Sequence, residues 1–175
     1  MSNLFALEDG IHAPITGGAT LSACRKGEIA ETLFIAGAMV HDWEIFTPFG
    51  HSQAADVVLT RSGVRPLGVQ VKTGTLVDSG AYVVTVKRGT TGGMNARPYQ
   101  QYDFDVLAAY LPDRNQFVFW TFDDIRSRVT VRYNPAKHRA PGNWDLLNNV
   151  AESLTNSGPE TADVPPPTVQ MSTSL

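Results

Sequence analysis

Two short segments that read as β-strands carry polar side chains where a buried hairpin has little room for them, and this conflict constrains the chain more than any other feature. Ala54-Ala55-Asp56-Val57-Val58-Leu59 and Gly68-Val69-Gln70-Val71-Lys72-Thr73 are rich in apolar and β-branched residues and flank a turn at Arg61-Ser62-Gly63, the pattern of an antiparallel hairpin. In a hairpin symmetric about Gly63, positions equidistant from that glycine pair, so Asp56 lies opposite Gln70. Side chains alternate along a strand, which puts Gln70 and Lys72 on one face and Val69 and Val71 on the other. A carboxylate, an amide and an ammonium group thereby gather on one side of an otherwise apolar hairpin. Burying a polar group without a partner costs about 2–7 kcal/mol, and a charge costs more. The face is therefore open to solvent or filled by something that satisfies it, and a divalent metal ion does so.

Metal-assisted phosphodiester hydrolysis assigns a role to each group. Mg2+ takes hard oxygen ligands, which the Asp56 carboxylate, the Gln70 amide oxygen and a strand carbonyl, that of Val71, can supply. Lys72 adds a fixed positive charge beside them, suited to steadying an attacking water or the charge developing on a phosphate. A fourth group comes from the preceding helix. Ser22 is a candidate N-cap, and from Arg25 to Val40 the apolar residues Ile29, Leu33, Phe34, Ala36, Gly37 and Val40 follow helical spacing, opposite Lys26, Glu28, Glu31 and Thr32. If this helix packs beside the hairpin, Glu28 is the additional acid, binding metal directly or through water. Lys26 and Glu31 read as ordinary solvated helix residues.

The remaining pattern is a strand meander, mixed elements and a closing helix. Strands are expected over residues 43–47, 55–60, 66–73 and 81–87, and a second hairpin over 107–111 and 116–122 around Pro112-Asp113-Arg114-Asn115. A short helical turn at 122–126, a strand at 128–133 and a helix at 144–154 follow. This is an α/β or α+β layout in which helices flank one central mixed β-sheet. At 175 residues and 42% hydrophobic content, the chain suits one core domain, placed at 22–154, after an N-terminal extension over 1–21. Residues 155–175, with three consecutive prolines and many Ser and Thr, read as a disordered tail.

A net charge of -3 argues against a nucleic-acid partner until its distribution is considered. Residues 61–139 hold 12 Lys and Arg against 6 Asp and Glu, while 151–175 hold three acids and no base. Arg126, Arg128, Arg132, Lys137, His138 and Arg139 form the densest basic run, a candidate patch for tracking a phosphate backbone. Arg88 and Arg97 bracket a Gly-rich stretch that lacks the Lys-Ser/Thr ending of a phosphate-binding loop, so no nucleotide cofactor is expected and contact with DNA phosphates is. His51 and Ser52 read as loop residues, and Asp103 and Asp105 as strand-start residues paired to backbone donors or Arg rather than a second metal pair. With one cysteine, Cys24, and no signal-like or membrane-length apolar run, an intracellular, cytoplasmic setting is expected.

Lys26-Gly27-Glu28-Ile29-Ala30-Glu31 on a first helix, Asp56 after Pro48-Phe49-Gly50, and Val69-Gln70-Val71-Lys72-Thr73 resemble the PD-(D/E)XK nuclease superfamily. More closely they resemble its group I intron-associated homing endonucleases, and at greater distance the archaeal Holliday-junction resolvases. The resemblance runs from about residue 25 to 150 and includes the stretch from Asp103 to Tyr110 and Asn143-Trp144. It implies a restriction-endonuclease-like core and a site of Glu28, Asp56, Gln70 and Lys72, with Glu28, Asp56 and Gln70 around Mg2+, which Mn2+ can replace. The residue before the Asp is Ala55 rather than Pro, and the usual third acid is Gln70, as in the intron-associated branch. The expected activity is endonucleolytic cleavage of double-stranded or branched DNA by a homodimer or larger oligomer, since cutting two strands takes two sites. The alternatives are a catalytically silent DNA-binding module of the same fold and a protein-binding accessory factor of a phage or mobile element.

Overall fold

The computed structural model describes residues 21–50, 53–88, 97–137 and 142–157, with Arg88 described by its backbone alone. Residues 1–20 of the N-terminal extension, His51, Ser52, His138, Arg139 and nearly all of the expected tail lie outside these residues. Helix α1 spans Ala23–Val40, and the Ser22 hydroxyl caps it by accepting from the Arg25 N–H at 3.2 Å. Its buried residues are Ala30, Phe34 and Ala38, one turn apart on one face. The face expected from sequence shares Phe34 and Leu33 with this one but also includes Ala36 and Val40, of which Val40 is exposed and Ala36 is not among the buried residues. Apolar residues surround this helix on most sides, so their periodicity does not select a face, and close approach decides it. A Cβ at Gly37 would stand 2.5 Å from Trp144 Cζ2; the indole lies flat where only glycine leaves room.

Strands β1 (Glu44–Phe46), β2 (Val57–Thr60) and β3 (Leu67–Thr73) form an antiparallel meander. The β2–β3 register is Val57 with Val69, Val58 with Gly68 and Leu59 with Leu67, so the next step places Asp56 across from Gln70, as the symmetry about Gly63 requires. Gly63 has φ +81°, a left-handed conformation that glycine adopts without strain. Two-residue β4 (Thr75–Leu76), β5 (Tyr82–Thr85), β6 (Lys87–Arg88) and β7 (Arg97–Pro98) follow. The second hairpin is β8 (Val106–Leu111) and β9 (Gln116–Thr121), succeeded by α2 (Phe122–Ile125), β10 (Thr130–Tyr133) and α3 (Asp145–Asn156). Helix α3 therefore reaches past the expected boundary at 154: Leu154 packs against the core, and the Thr155 hydroxyl accepts from Arg65 N–H at 2.8 Å.

The main sheet has the order β1-β2-β3-β8-β9, with β3 and β8 parallel and the other pairs antiparallel. Leu67, Val69 and Val71 of β3, with Val106 and Ala108 of β8, pack under α1 and α3. The opposite face, with Leu107, Ala109 and Leu111, packs on Tyr82, Val84, Val131 and Tyr133 from a three-stranded sheet ordered β10-β5-β4. Strand β8 is buried on both faces along its length, which explains its nearly continuous apolar sequence. At its start, Asp105 donates its N–H to Gly68 O and accepts Gly68 N–H through its carboxylate, both at 2.8 Å. Asp103 accepts from Gln100 N–H at 2.7 Å. Both acids serve backbone geometry, as expected.

Candidate active site

Strand alternation delivers Gln70 and Lys72 to the face shared with Leu107 and Ala109, their partners on β8. Gln70 is 1% exposed, the one polar or charged residue among the described residues that is fully buried, and every end of its amide is occupied. Its Nε2 donates to Asp56 Oδ2 and, at 3.3 Å, to Val71 O, while its Oε1 accepts from the Tyr99 hydroxyl at 3.0 Å. Asp56 Oδ2 also accepts the Val71 N–H at 2.8 Å. A carboxylate oxygen and a main-chain carbonyl oxygen thus converge on a single NH2 group. Both are hard oxygens, and they face a donor where a cation finds ligands.

The charges around this point perturb one another. Burial pushes the Asp56 carboxyl above its ordinary value of 3.8, against the pull of Lys72, the Val71 N–H and the Gln70 amide. Burial likewise lowers the Lys72 ammonium from 10.5, opposed by Asp56 and then Glu31. Glu31 is held up first by burial and then by Asp56, with Lys72 acting in the other direction. Burial and mutual charge thus shift three ionisable groups that face one another, which makes this cluster a candidate functional site.

Of the residues that the sequence nominates, Asp56, Gln70 and Lys72 come together, and Glu28 does not. Glu28 is exposed and forms an ion pair with Arg25 at 2.9 Å; that hydrogen bond lowers its carboxyl below the usual range. The helix acid that senses Asp56 and Lys72 is Glu31. The cause is the rotation of α1: with Phe34 and Ala30 turned into the core, position 31 lies beside them and position 28 points outward. The β2–β3 ladder ends at Val57 and Val69 while β3 continues to Thr73, so α1 crosses a flank of β3 that lacks a strand partner, where Thr73 Oγ1 donates to Lys26 O at 3.4 Å. Anchoring the helical face on Phe34, its one large aromatic residue, identifies Glu31 from sequence. Tyr99 carries no such local signal. Among the described residues, no three His, Cys, Asp or Glu side chains cluster to hold a metal; the oxygen set here is two acids, an amide and a carbonyl.

Arg97, Arg126, Arg128, Arg132 and Lys137 are exposed, with Arg126 paired to Asp123 and its guanidinium 5.9 Å from the Phe122 ring centroid. Arg88 and Arg97 stand opposite each other in the β6–β7 ribbon.

A family model described as PD-(D/E)XK endonuclease matches residues 21–149. The chain belongs to the PD-(D/E)XK endonuclease family. No curated protein sequence matches it significantly. Among solved structures it is similar to a bacterial homing endonuclease, I-Ssp6803I, at 25% identity and a TM-score of 0.64, covering 76% of this chain and 95% of that one. For a PD-(D/E)XK endonuclease, a central mixed sheet flanked by helices is the expected frame. The family match ends at residue 149, within α3, and begins just before the Ser22 cap. No helix among the described residues is long and apolar enough to cross a membrane.

Proposed function

We propose that this PD-(D/E)XK protein is a metal-dependent endonuclease acting on double-stranded DNA, with Asp56, Gln70, Lys72 and Glu31 as its working residues. The observation that carries this reading is the convergence of Asp56 Oδ2 and Val71 O on one buried point flanked by Lys72 and Glu31. Asp56, the Gln70 amide oxygen and the Val71 carbonyl are the ligands for the ion, and Glu31, rather than Glu28, is the additional acid, directly or through water. When bound, Mg2+, or Mn2+ in its place, supplies a Lewis acid for the scissile phosphate and lowers the pKa of coordinated water.

The protein's own groups do the rest. Asp56 and Glu31 oppose the burial that lowers the Lys72 ammonium, and a positive charge at Lys72 is positioned for the phosphate in the transition state. Gln70 brings an oxygen without a negative charge, so the cluster carries one charge fewer than an all-acid set and repels the DNA backbone less. Arg88, Arg97, Arg126, Arg128, Arg132, Lys137 and Arg139 are assigned to phosphate contacts that fix register on the duplex. The likeness to a homing endonuclease over most of that chain favours a defined DNA site over a branched junction, and a homodimer or larger assembly supplies one active site per strand.

The test is incubation of the purified full-length protein with linear, supercoiled and four-way-junction DNA, in Mg2+ or in chelator. Cleavage of plasmid or linear duplex in Mg2+ alone is expected. Salt-sensitive DNA binding with no cleavage under any condition selects the silent module, and absence of both selects the accessory factor.

A further inference from the structure

The side-chain amide of Gln70 is directional, and its direction decides what the site can hold. Facing Asp56 Oδ2 and Val71 O, both acceptors, the amide presents its NH2 group and turns its oxygen toward Tyr99. To ligate a cation it must present oxygen at the same point, which turns the NH2 toward Tyr99. Gln70 is almost wholly enclosed, so whichever end lies away from Asp56 needs a partner in the protein. A hydroxyl both donates and accepts. The Tyr99 ring is held firmly enough to serve either end, being 8% exposed, directly after β7, and edge-on to Phe104 with centroids 4.8 Å apart.

We propose that Tyr99 is a positioning residue of the metal site, its hydroxyl donating to Gln70 Oε1 in the metal-free protein and accepting from Gln70 Nε2 once the amide reverses to offer oxygen to a divalent cation. The inference rests on the metal-site reading above and deepens it. Phenylalanine at 99 leaves the metal-free orientation with both of its N–H bonds and an under-satisfied carbonyl, but leaves the reversed orientation with a buried N–H that has no acceptor. Orphaned buried N–H groups are the rarer of the two in proteins. Tyr99→Phe therefore biases Gln70 against the ion. A carboxylate at position 70 has no such direction, since both of its oxygens accept, and it has no use for a two-way partner.

The experiment is Mn2+ binding to the full-length protein, followed as loss of the free-ion electron paramagnetic resonance signal, for wild type, Tyr99→Phe, Gln70→Glu and the double variant. Tyr99→Phe is expected to raise the Mn2+ Kd by about tenfold, the equivalent of one hydrogen bond, while adding Tyr99→Phe to Gln70→Glu leaves that variant's Kd unchanged. An equal penalty in both backgrounds assigns Tyr99 a purely structural role and overturns the inference, as does no penalty in either. Wild type that binds no Mn2+ overturns it together with the metal site, whereas binding with equal penalties leaves the nuclease reading standing. Should Tyr99→Phe fail to fold, the wild-type protein suffices: the Gln70 carboxamide pair in the 1H–15N spectrum is expected to move when Mg2+ is added, as its protons leave Asp56 for Tyr99, and an unmoved pair refutes the reversal.

Discussion

Replacing Asp56 by alanine should damage the fold as well as the chemistry, and the hydrogen bonds give the size of the effect. Asp56 Oδ2 accepts from two donors, the Val71 N–H and the Gln70 amide, and both residues are buried. Alanine leaves both without their acceptor, at about 1–3 kcal/mol each. Removing a carboxylate that burial already disfavours returns part of this. The net loss for Asp56→Ala is about 2 kcal/mol, a fall of roughly 1 M in the urea midpoint at a slope of about 2 kcal/mol/M. Asparagine keeps an oxygen for both donors and sheds the charge, so Asp56→Asn should stay within about 1 kcal/mol of wild type while losing metal-dependent cleavage. The assay is urea unfolding in chelator at neutral pH, with the slope checked for constancy. An Asp56→Ala midpoint equal to wild type, or an Asp56→Asn midpoint as low as Asp56→Ala, refutes the two-donor argument.

The raised Asp56 carboxyl means that the folded protein holds this proton more tightly than the unfolded chain, so its contribution is fully present below about pH 3.8 and lost as pH rises through the higher folded value. Metal-free wild type should accordingly lose stability relative to Asp56→Asn as pH rises from about 3.8 in urea titrations; a wild-type advantage that grows with pH there contradicts the assignment. Glu31→Gln should reduce Mg2+-dependent cleavage by about 10- to 100-fold, whereas Glu28→Gln, at an exposed pair with Arg25, should leave it within about twofold; single-turnover rates decide, and the reverse ranking restores Glu28. Replacing Arg126, Arg128 and Arg132 by alanine together should flatten the slope of log K against log salt by about 2–3 units without changing sequence preference, and an unchanged slope removes that surface from the DNA interface. A chain ending at Ser157 should fold and cleave like the full chain, while one ending at Ser153 should unfold at lower urea because it loses Leu154 and the Thr155 bond to Arg65.

The hairpin is readable from sequence because its geometry is local. A single glycine, Gly63, fixes the centre, and alternation then places Asp56, Gln70 and Lys72 with no knowledge of the rest of the chain. The β8–β9 hairpin and the short α2 are readable for the same reason, each bounded by turn or capping residues. Glu31 escapes a reading of the apolar pattern as a whole, because α1 is apolar around most of its circumference; only the single aromatic Phe34 marks the side on which position 31, rather than 28, lies. The two-residue strands β4, β6 and β7 are too short for any periodicity to show. The parallel pairing of β3 with β8 and the approach of Tyr99 to Gln70 join residues far apart in the chain, and nothing local announces either.

That parallel pairing also orders events in time. Gly68 and Asp105, which clamp β3 to β8, are separated by 37 positions, and the intervening chain must make its own β5 and run back before they can meet. Loops of this kind close late, since their entropy is spent before their contacts form. The β2–β3 hairpin can pair Asp56 with Gln70 early, but Tyr99 arrives only with the segment that leads into β8. A chain that has not yet made this crossing can hold acid and amide in register, but it lacks the Tyr99 hydroxyl that meets Gln70 Oε1 in the folded protein.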